Sequence, residues 1–131
     1  MNFLISRDAF NEVYTNPAEF NHEGQLIVQP YESQTECDLS ERNLCKGKVM
    51  LEYIKNKNYS FVCYAGDGGN DFCPIQKLTQ NDLAFVRKGY ALEKKIPKMK
   101  ESRGLEVTAE IHYWTTGHDI LAQIEKKLES V

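Results

Sequence analysis

Two hydrophobic periods run along this chain, and they alternate most clearly in its second half. Val49, Met50, Tyr53 and Ile54 recur at helical spacing and would share one face of a helix over Asn43 to Lys57. Ser40 or Asn43 is placed to cap its start. After a polar break at Asn56 to Ser60 comes an uninterrupted apolar run, Phe61 to Ala65, which reads as a buried strand. Cys73 to Leu78 reads as a short helix, and Leu83 to Val86 as a second buried strand. Gly89 to Met99 is a helix candidate weakened by Pro97, and Lys100 to Gly104 reads as a polar loop. Val107 to Trp114 alternates as a strand does, and Thr115-Thr116-Gly117 then leads into an amphipathic helix carrying Ile120, Leu121, Ile124 and Leu128. Upstream, Ala9 to Tyr14 is too short to assign, and Asn16-Pro17 breaks it. Phe20 and Leu26 to Val28 flank the turn Asn21-His22-Glu23-Gly24 and predict a β-hairpin; Pro30 to Ser40 reads as a loop. Strands that alternate with helices predict an α/β layered sheet.

Composition narrows this picture. A chain of 131 residues forms one domain at most, and its hydrophobic fraction of 41% suits a packed core. The net charge of -3 and the lack of a basic block argue against a nucleic-acid partner. Lys94-Lys95 and Lys98 to Lys100 are flanked by Glu93 and Glu101, as on a solvated helix face. No apolar stretch is long enough to span a bilayer, so no membrane partner is expected. Met1 to Ile5 is too short for a signal-peptide core. Cys37, Cys45, Cys63 and Cys73 lack zinc-ribbon spacing and read as ordinary reduced thiols, which points to a cytoplasmic protein.

The candidate chemistry centres on Gly66-Asp67-Gly68-Gly69-Asn70-Asp71. Two carboxylates and an amide stand on a glycine turn that follows a predicted strand, where ligands bind in open α/β sheets. Clustered hard oxygen donors suit Mg²⁺. Asp67 is the leading metal-ligand candidate, with Asp71 and Asn70 completing the site or touching phosphate. The plainer alternative is a surface turn with capping acids. An EF-hand loop does not fit, since its ligand spacing is absent. Lys46, at the start of the first long helix, can aim its ammonium at a phosphate, or can simply be solvated. Arg87-Lys88-Gly89 can border an anionic pocket or be surface charge after a strand. His22, His112 and His118 share no metal spacing, and no Ser or Cys has a recognisable base.

Five strings occur in order: Thr15-Asn16-Pro17-Ala18, Gly24-x-Leu26, Asn43-Leu44-Cys45-Lys46, Gly66-Asp67-Gly68-Gly69-Asn70-Asp71-x-Cys73-Pro74, and Arg87-Lys88-Gly89-Tyr90. In these the chain resembles the haloacid-dehalogenase-like phosphatases, in the branch of phosphoethanolamine/phosphocholine phosphatase and pyridoxal-phosphate phosphatase. The resemblance runs from about Phe10 to the C-terminal helix. It implies a Rossmann-like three-layer sheet and Mg²⁺-dependent hydrolysis of small phosphomonoesters through an aspartyl-phosphate. It also implies catalytic roles for Lys46, Asp67 and Asp71, phosphate binding by Lys46 and Asn70, and metal binding by Asp67 and Asp71. The family nucleophile lies in an Asp-x-Asp motif, and a Ser-Asp-x-Asn string grips phosphate; neither occurs in this chain. The expectation is therefore a single partial domain over residues 1–131 that matches the C-terminal half of such a phosphatase. The central N-terminal strand would be missing and the chain inactive by itself. The alternative is a non-catalytic Mg²⁺- or phosphate-binding or protein-interaction module, with self-association through an unpaired strand edge.

Overall fold

A computed structural model describes residues 7–131. The reading of Met1 to Ile5 lies outside the described residues. Three parallel strands form the central sheet: β3 (Cys63–Gly66), β4 (Leu83–Arg87) and β5 (Glu110–Trp114), with β4 in the middle. Cys63 pairs with Leu83 and Gly66 with Val86; Leu83 pairs with Glu110 and Arg87 with Trp114. Parallel neighbours need crossovers, and helices α2 (Phe72–Gln76) and α3 (Ala91–Arg103) supply them. Helix α1 (Lys46–Ile54) packs on α2, and α4 (Gly117–Glu129) packs on β5. This is an α/β arrangement compatible with the Rossmann-like sheet that the resemblance implied. No helix among the described residues is long and apolar enough to cross a membrane.

The core explains the order of the strands. Phe72, Ile75, Leu78, Ala84, Val86, Leu92 and Ala109 form one buried cluster, contributed by α2 and the segment after it, β4, α3 and the approach to β5. Leu83 to Val86 is buried throughout, as a middle strand covered on both faces must be. Phe61 to Ala65 differs from its expectation. The strand begins at Cys63, pairs with β4 only among the described residues, and leaves Ala65 exposed. An apolar run records the wish for burial but not whether a strand lies at an edge. Asp82 fastens the start of this edge: its carboxylate accepts from Val62 N at 2.8 Å, Thr79 N at 2.7 Å and Thr79 Oγ1 at 2.8 Å.

Several boundaries are corrected by local chemistry. Helix α1 starts at Lys46, capped by neither Ser40 nor Asn43. Cys45 holds the cap position, and its Sγ accepts from Lys48 N at 3.4 Å. Helix α3 runs through Pro97 to Arg103, so Lys100 to Arg103 is helix rather than loop. Pro97 removes one backbone donor, while Lys100 and Arg103 favour the negative C-terminal end and Gly104, at φ 64°, closes it in the left-handed region. The predicted hairpin is present as β1 (Ala18–Phe20) and β2 (Leu26–Val28), paired antiparallel. Asn21 Oδ1 accepts from Glu23 N and Gln25 N and shapes its turn. Of the Ala9 to Tyr14 stretch, the start belongs to a 3₁₀ turn at Arg7–Ala9, and the rest is irregular.

Candidate phosphate and metal site

The parallel register sets Asp67, Arg87 and Trp114 in a row at the carboxyl ends of β3, β4 and β5. The glycine turn continues from β3 into a 3₁₀ turn at Gly69–Asp71 and then α2. Its organiser is Asp71, which is 4% exposed. Asp71 Oδ1 accepts from Lys46 Nζ at 2.7 Å and from Tyr64 Oη at 2.8 Å. Its Oδ2 accepts from Asp67 N and Gly68 N, each at 3.0 Å. Four donors match the roughly four lone-pair sites of a carboxylate. Burial pushes the Asp71 carboxyl up, but Lys46, the Gly68 and Asp67 amides and Tyr64 outweigh it and hold the group below its ordinary value. Burial, then the neighbouring Asp71 charge, pushes the Tyr64 phenol far upward, so its hydroxyl stays a donor.

The same carboxylate dictates glycine at position 66. A Cβ there would stand 2.6 Å from Asp71 Cβ, 2.7 Å from its Cγ and 2.8 Å from Oδ2. Gly66→Ala is expected to destabilise the fold by about 1–3 kcal/mol through overpacking. Gly69→Ala meets nothing closer than Lys95 Cδ at 3.7 Å and is expected to stay within about 0.5 kcal/mol of the parent. Urea denaturation of the two variants checks this; equal costs would contradict it.

Asp67 is placed differently. Its side chain is 50% exposed, and its Oδ2 lies 3.6 Å from Arg87 Nη1. Its backbone is fixed on both sides, by the N–H to Asp71 and by a carbonyl that accepts from Leu92 N at 2.9 Å. Asn70 is exposed at the tip of the turn. This donor set fits a hard divalent cation that binds through one or two carboxylates and keeps several waters. Asp71 spends its oxygens on protein donors and fixes the loop that presents Asp67.

Cations ring the turn. Lys46, at the first position of α1, has a side chain 34% exposed. Arg87 stacks over Tyr90 at 4.0 Å and lies 5.2 Å from the Trp114 ring. Trp114 Nε1 is buried without a hydrogen-bond partner among the described residues. Lys95 Nζ donates to Gly69 O at 2.9 Å. Lys46, Asp67, Asn70 and Asp71 are thus brought together, and Arg87 joins them. Tyr64 and Lys95 were not foreseen. Tyr64 lay inside an apolar run, and Lys95 inside a lysine-rich stretch that reads as solvent-facing; its place one helix turn from Ala91 was the available signal. A cleft of about 570 Å³ adjoins the site, with Lys46, Tyr64, Tyr53, Tyr14, Phe10 and Met50 on its walls. It reaches Lys46 and Tyr64 but not Asp67.

The chain is similar to known phosphatases along most of its length. Residues 2–128 match the family described as Putative Phosphatase. The human protein named pyridoxal phosphate phosphatase PHOSPHO2 is 39% identical over 124 residues, which cover 90% of this chain and 50% of that protein. A Xenopus tropicalis protein named probable phosphatase phospho2 is 39% identical over 127 residues, 93% of this chain and 51% of its own length. Human phosphoethanolamine/phosphocholine phosphatase is 29% identical over 126 residues, 92% of this chain and 47% of its own. The chain spans about half the length of the curated relatives it matches. No solved structure matches it significantly.

Proposed function

Because the chain belongs to the Putative Phosphatase family, we propose that it carries the metal- and phosphate-binding half of a phosphomonoester hydrolase active site. One observation carries the reading. Asp71 gathers Lys46, Tyr64 and the backbone of Asp67 and Gly68 into one unit, and leaves the Asp67 carboxylate facing outward. In this reading Asp67 holds Mg²⁺, with Asn70 beside it. Lys46 balances the charge of the bound phosphate, its ammonium fixed by Asp71 while a third of the side chain remains open. Arg87 adds positive potential from the neighbouring strand. Asp71 is a positioning residue rather than a direct metal ligand. When bound, Mg²⁺ supplies neutralisation and orientation of the phosphate oxygens. The substrates are small phosphorylated metabolites of the kind the relatives' names give: pyridoxal phosphate, phosphoethanolamine or phosphocholine.

These 131 residues hold no Asp-x-Asp pair and no nucleophile we can assign. That favours a second reading, a non-catalytic Mg²⁺- or phosphate-binding module. The two readings separate in one experiment. The chain is assayed with Mg²⁺ against pyridoxal phosphate and phosphocholine, by itself and joined to the N-terminal half of the human pyridoxal phosphate phosphatase. The first reading expects no turnover from the chain by itself and Mg²⁺-dependent release of phosphate from the joined protein. A soluble, folded joined protein that remains inactive would leave the binding module.

A further inference from the structure

Away from the glycine turn, the fold gathers three sulfurs that are far apart in sequence. Cys37 Sγ lies 3.5 Å from Cys73 Sγ, and Cys45 Sγ lies 3.7 Å from Cys73 Sγ. All three sulfurs fall within 4.8 Å of one another. Cys45 and Cys73 are buried, and Cys37 is half-buried. Ser40 Oγ sits beside them, 3.6 Å from Cys37 Sγ and 3.2 Å from Cys45 Sγ. We infer that Cys37, Cys45 and Cys73 form a binding site for one thiophilic metal ion, with Zn²⁺ its natural occupant and Ser40 Oγ or a water at the fourth corner.

The dimensions favour this. A tetrahedral zinc with sulfur at about 2.3 Å separates its sulfurs by about 3.8 Å and its sulfur from an oxygen ligand by about 3.5 Å. The two sulfur edges to Cys73 and the two edges from Ser40 Oγ lie within a few tenths of an ångström of these, and the Cys37–Cys45 edge lies within 4.8 Å. The four positions come from a loop, a helix cap and a second helix, so the cluster is made by tertiary packing and carries no sequence spacing.

The surroundings are built to hold it. Gln34, 3% exposed, fastens the loop that carries Cys37 and Ser40. Its Nε2 donates to the carbonyls of Cys37, Ser40 and Glu41 at 3.2, 3.2 and 2.8 Å, and its Oε1 accepts from Cys37 N at 2.9 Å. Cys45 caps α1, and the Lys48 N–H points at its sulfur at 3.4 Å. Gly47 makes room for the third ligand: a Cβ there would stand 2.6 Å from Cys73 Sγ and 2.9 Å from the Lys77 side chain. A surface cleft of about 310 Å³, bordered by Gln34, Cys37, Cys45 and Lys77, gives an ion a path from solvent. Thiolates are soft ligands that select zinc or copper(I) over magnesium, so this site and the carboxylate turn would sort two metals by chemistry. Binding converts up to three thiols to thiolates and releases their protons to solvent.

The position gives the ion a purpose. Cys45 immediately precedes Lys46, and Cys73 stands two residues after Asp71. A metal across Cys45 and Cys73 would pin α1 to α2 beside the Lys46–Asp71 pair.

The test uses the full 131-residue chain, purified under reducing conditions, with Zn²⁺ and Co²⁺ as probes. We expect one equivalent of Zn²⁺ to survive desalting and Co²⁺ to give a thiolate-to-metal charge-transfer absorption that Zn²⁺ displaces. That absorption separates the site from any ion held by carboxylates. Cys37→Ser lies on a loop, and circular dichroism verifies that it folds; it is expected to lose affinity at least about 100-fold, beyond what loss of a supporting contact does. Cys63→Ser, on β3 outside the cluster, should bind as the parent does. A folded parent without the charge-transfer band would overturn the inference. So would a Cys37→Ser variant of parental affinity, or a Cys63→Ser variant impaired as badly as Cys37→Ser.

Discussion

Asp71→Asn is expected to destabilise the chain by about 3–5 kcal/mol, the cost of removing one partner from a buried charged network. The amide keeps one oxygen acceptor and turns an NH₂ toward groups that are all donors: Lys46 Nζ, Tyr64 Oη, Asp67 N and Gly68 N. Two of the four bonds are therefore replaced by donor–donor contacts in a site shielded from water. Lys46→Ala leaves the buried Asp71 carboxylate three donors but no counter-charge, and is expected to cost less, about 1–3 kcal/mol. The acid limb of the stability curve carries the same signature. The Asp71 carboxyl titrates below its ordinary 3.8 in the folded chain. Its bonds therefore contribute fully above that pH, and the contribution is lost as pH falls through the lowered folded value. Urea melts at pH 7 and at points below pH 4 should show the parent losing stability faster than Asp71→Asn. Parallel pH profiles and similar midpoints at pH 7 would mean that Asp71 is not the organiser of the turn.

Much of this site was legible in the chain because its signals are local. The six-residue glycine turn after an apolar run placed Asp67, Asn70 and Asp71 at a strand's carboxyl end, and they lie there. The β4 run and the Asn21–Gly24 hairpin were likewise written in contiguous residues. What failed depended on contacts across the fold. Apolarity at Phe61 to Ala65 could not say that β3 is an edge. Pro97 weakened the helix candidate and Lys100 to Gly104 read as loop, yet Leu92, Ile96 and Met99 pack on the core and the helix continues to Arg103. The sequence ranks Asp67 as leading ligand and Asp71 as its support, but the means of support was hidden: only the fold shows that Asp71 faces four donors while Asp67 is half exposed beside Arg87. Cysteine spacing gave no hint of the triad, because Cys73 reaches Cys37 and Cys45 only after α1 and α2 pack.

In the proposed reading the largest functional effect is expected at Asp67. In the protein joined to a relative's N-terminal half, Asp67→Asn is expected to lower the Mg²⁺-dependent rate at least about 100-fold. Removing a metal ligand should exceed the 10–100-fold losses typical of supporting contacts. Asparagine keeps the shape and the exposed position but gives up the charge that draws a hard cation. The backbone N–H to Asp71 and the carbonyl bond to Leu92 do not involve the side chain, so the turn should stay folded. Lys46→Ala should act on a different quantity. It leaves Asp67 untouched and removes the charge that balances phosphate, so the maximal rate falls while the Mg²⁺ concentration for half-maximal rate holds.

The most direct measurement is the rate of phosphate release against Mg²⁺ concentration for the joined parent, Asp67→Asn and Lys46→Ala proteins. The account predicts that Asp67→Asn moves the Mg²⁺ midpoint sharply upward and that Lys46→Ala lowers the plateau at an unchanged midpoint. An Asp67→Asn protein with the parental rate and the parental Mg²⁺ midpoint would contradict it, and the glycine turn would then be a structural loop.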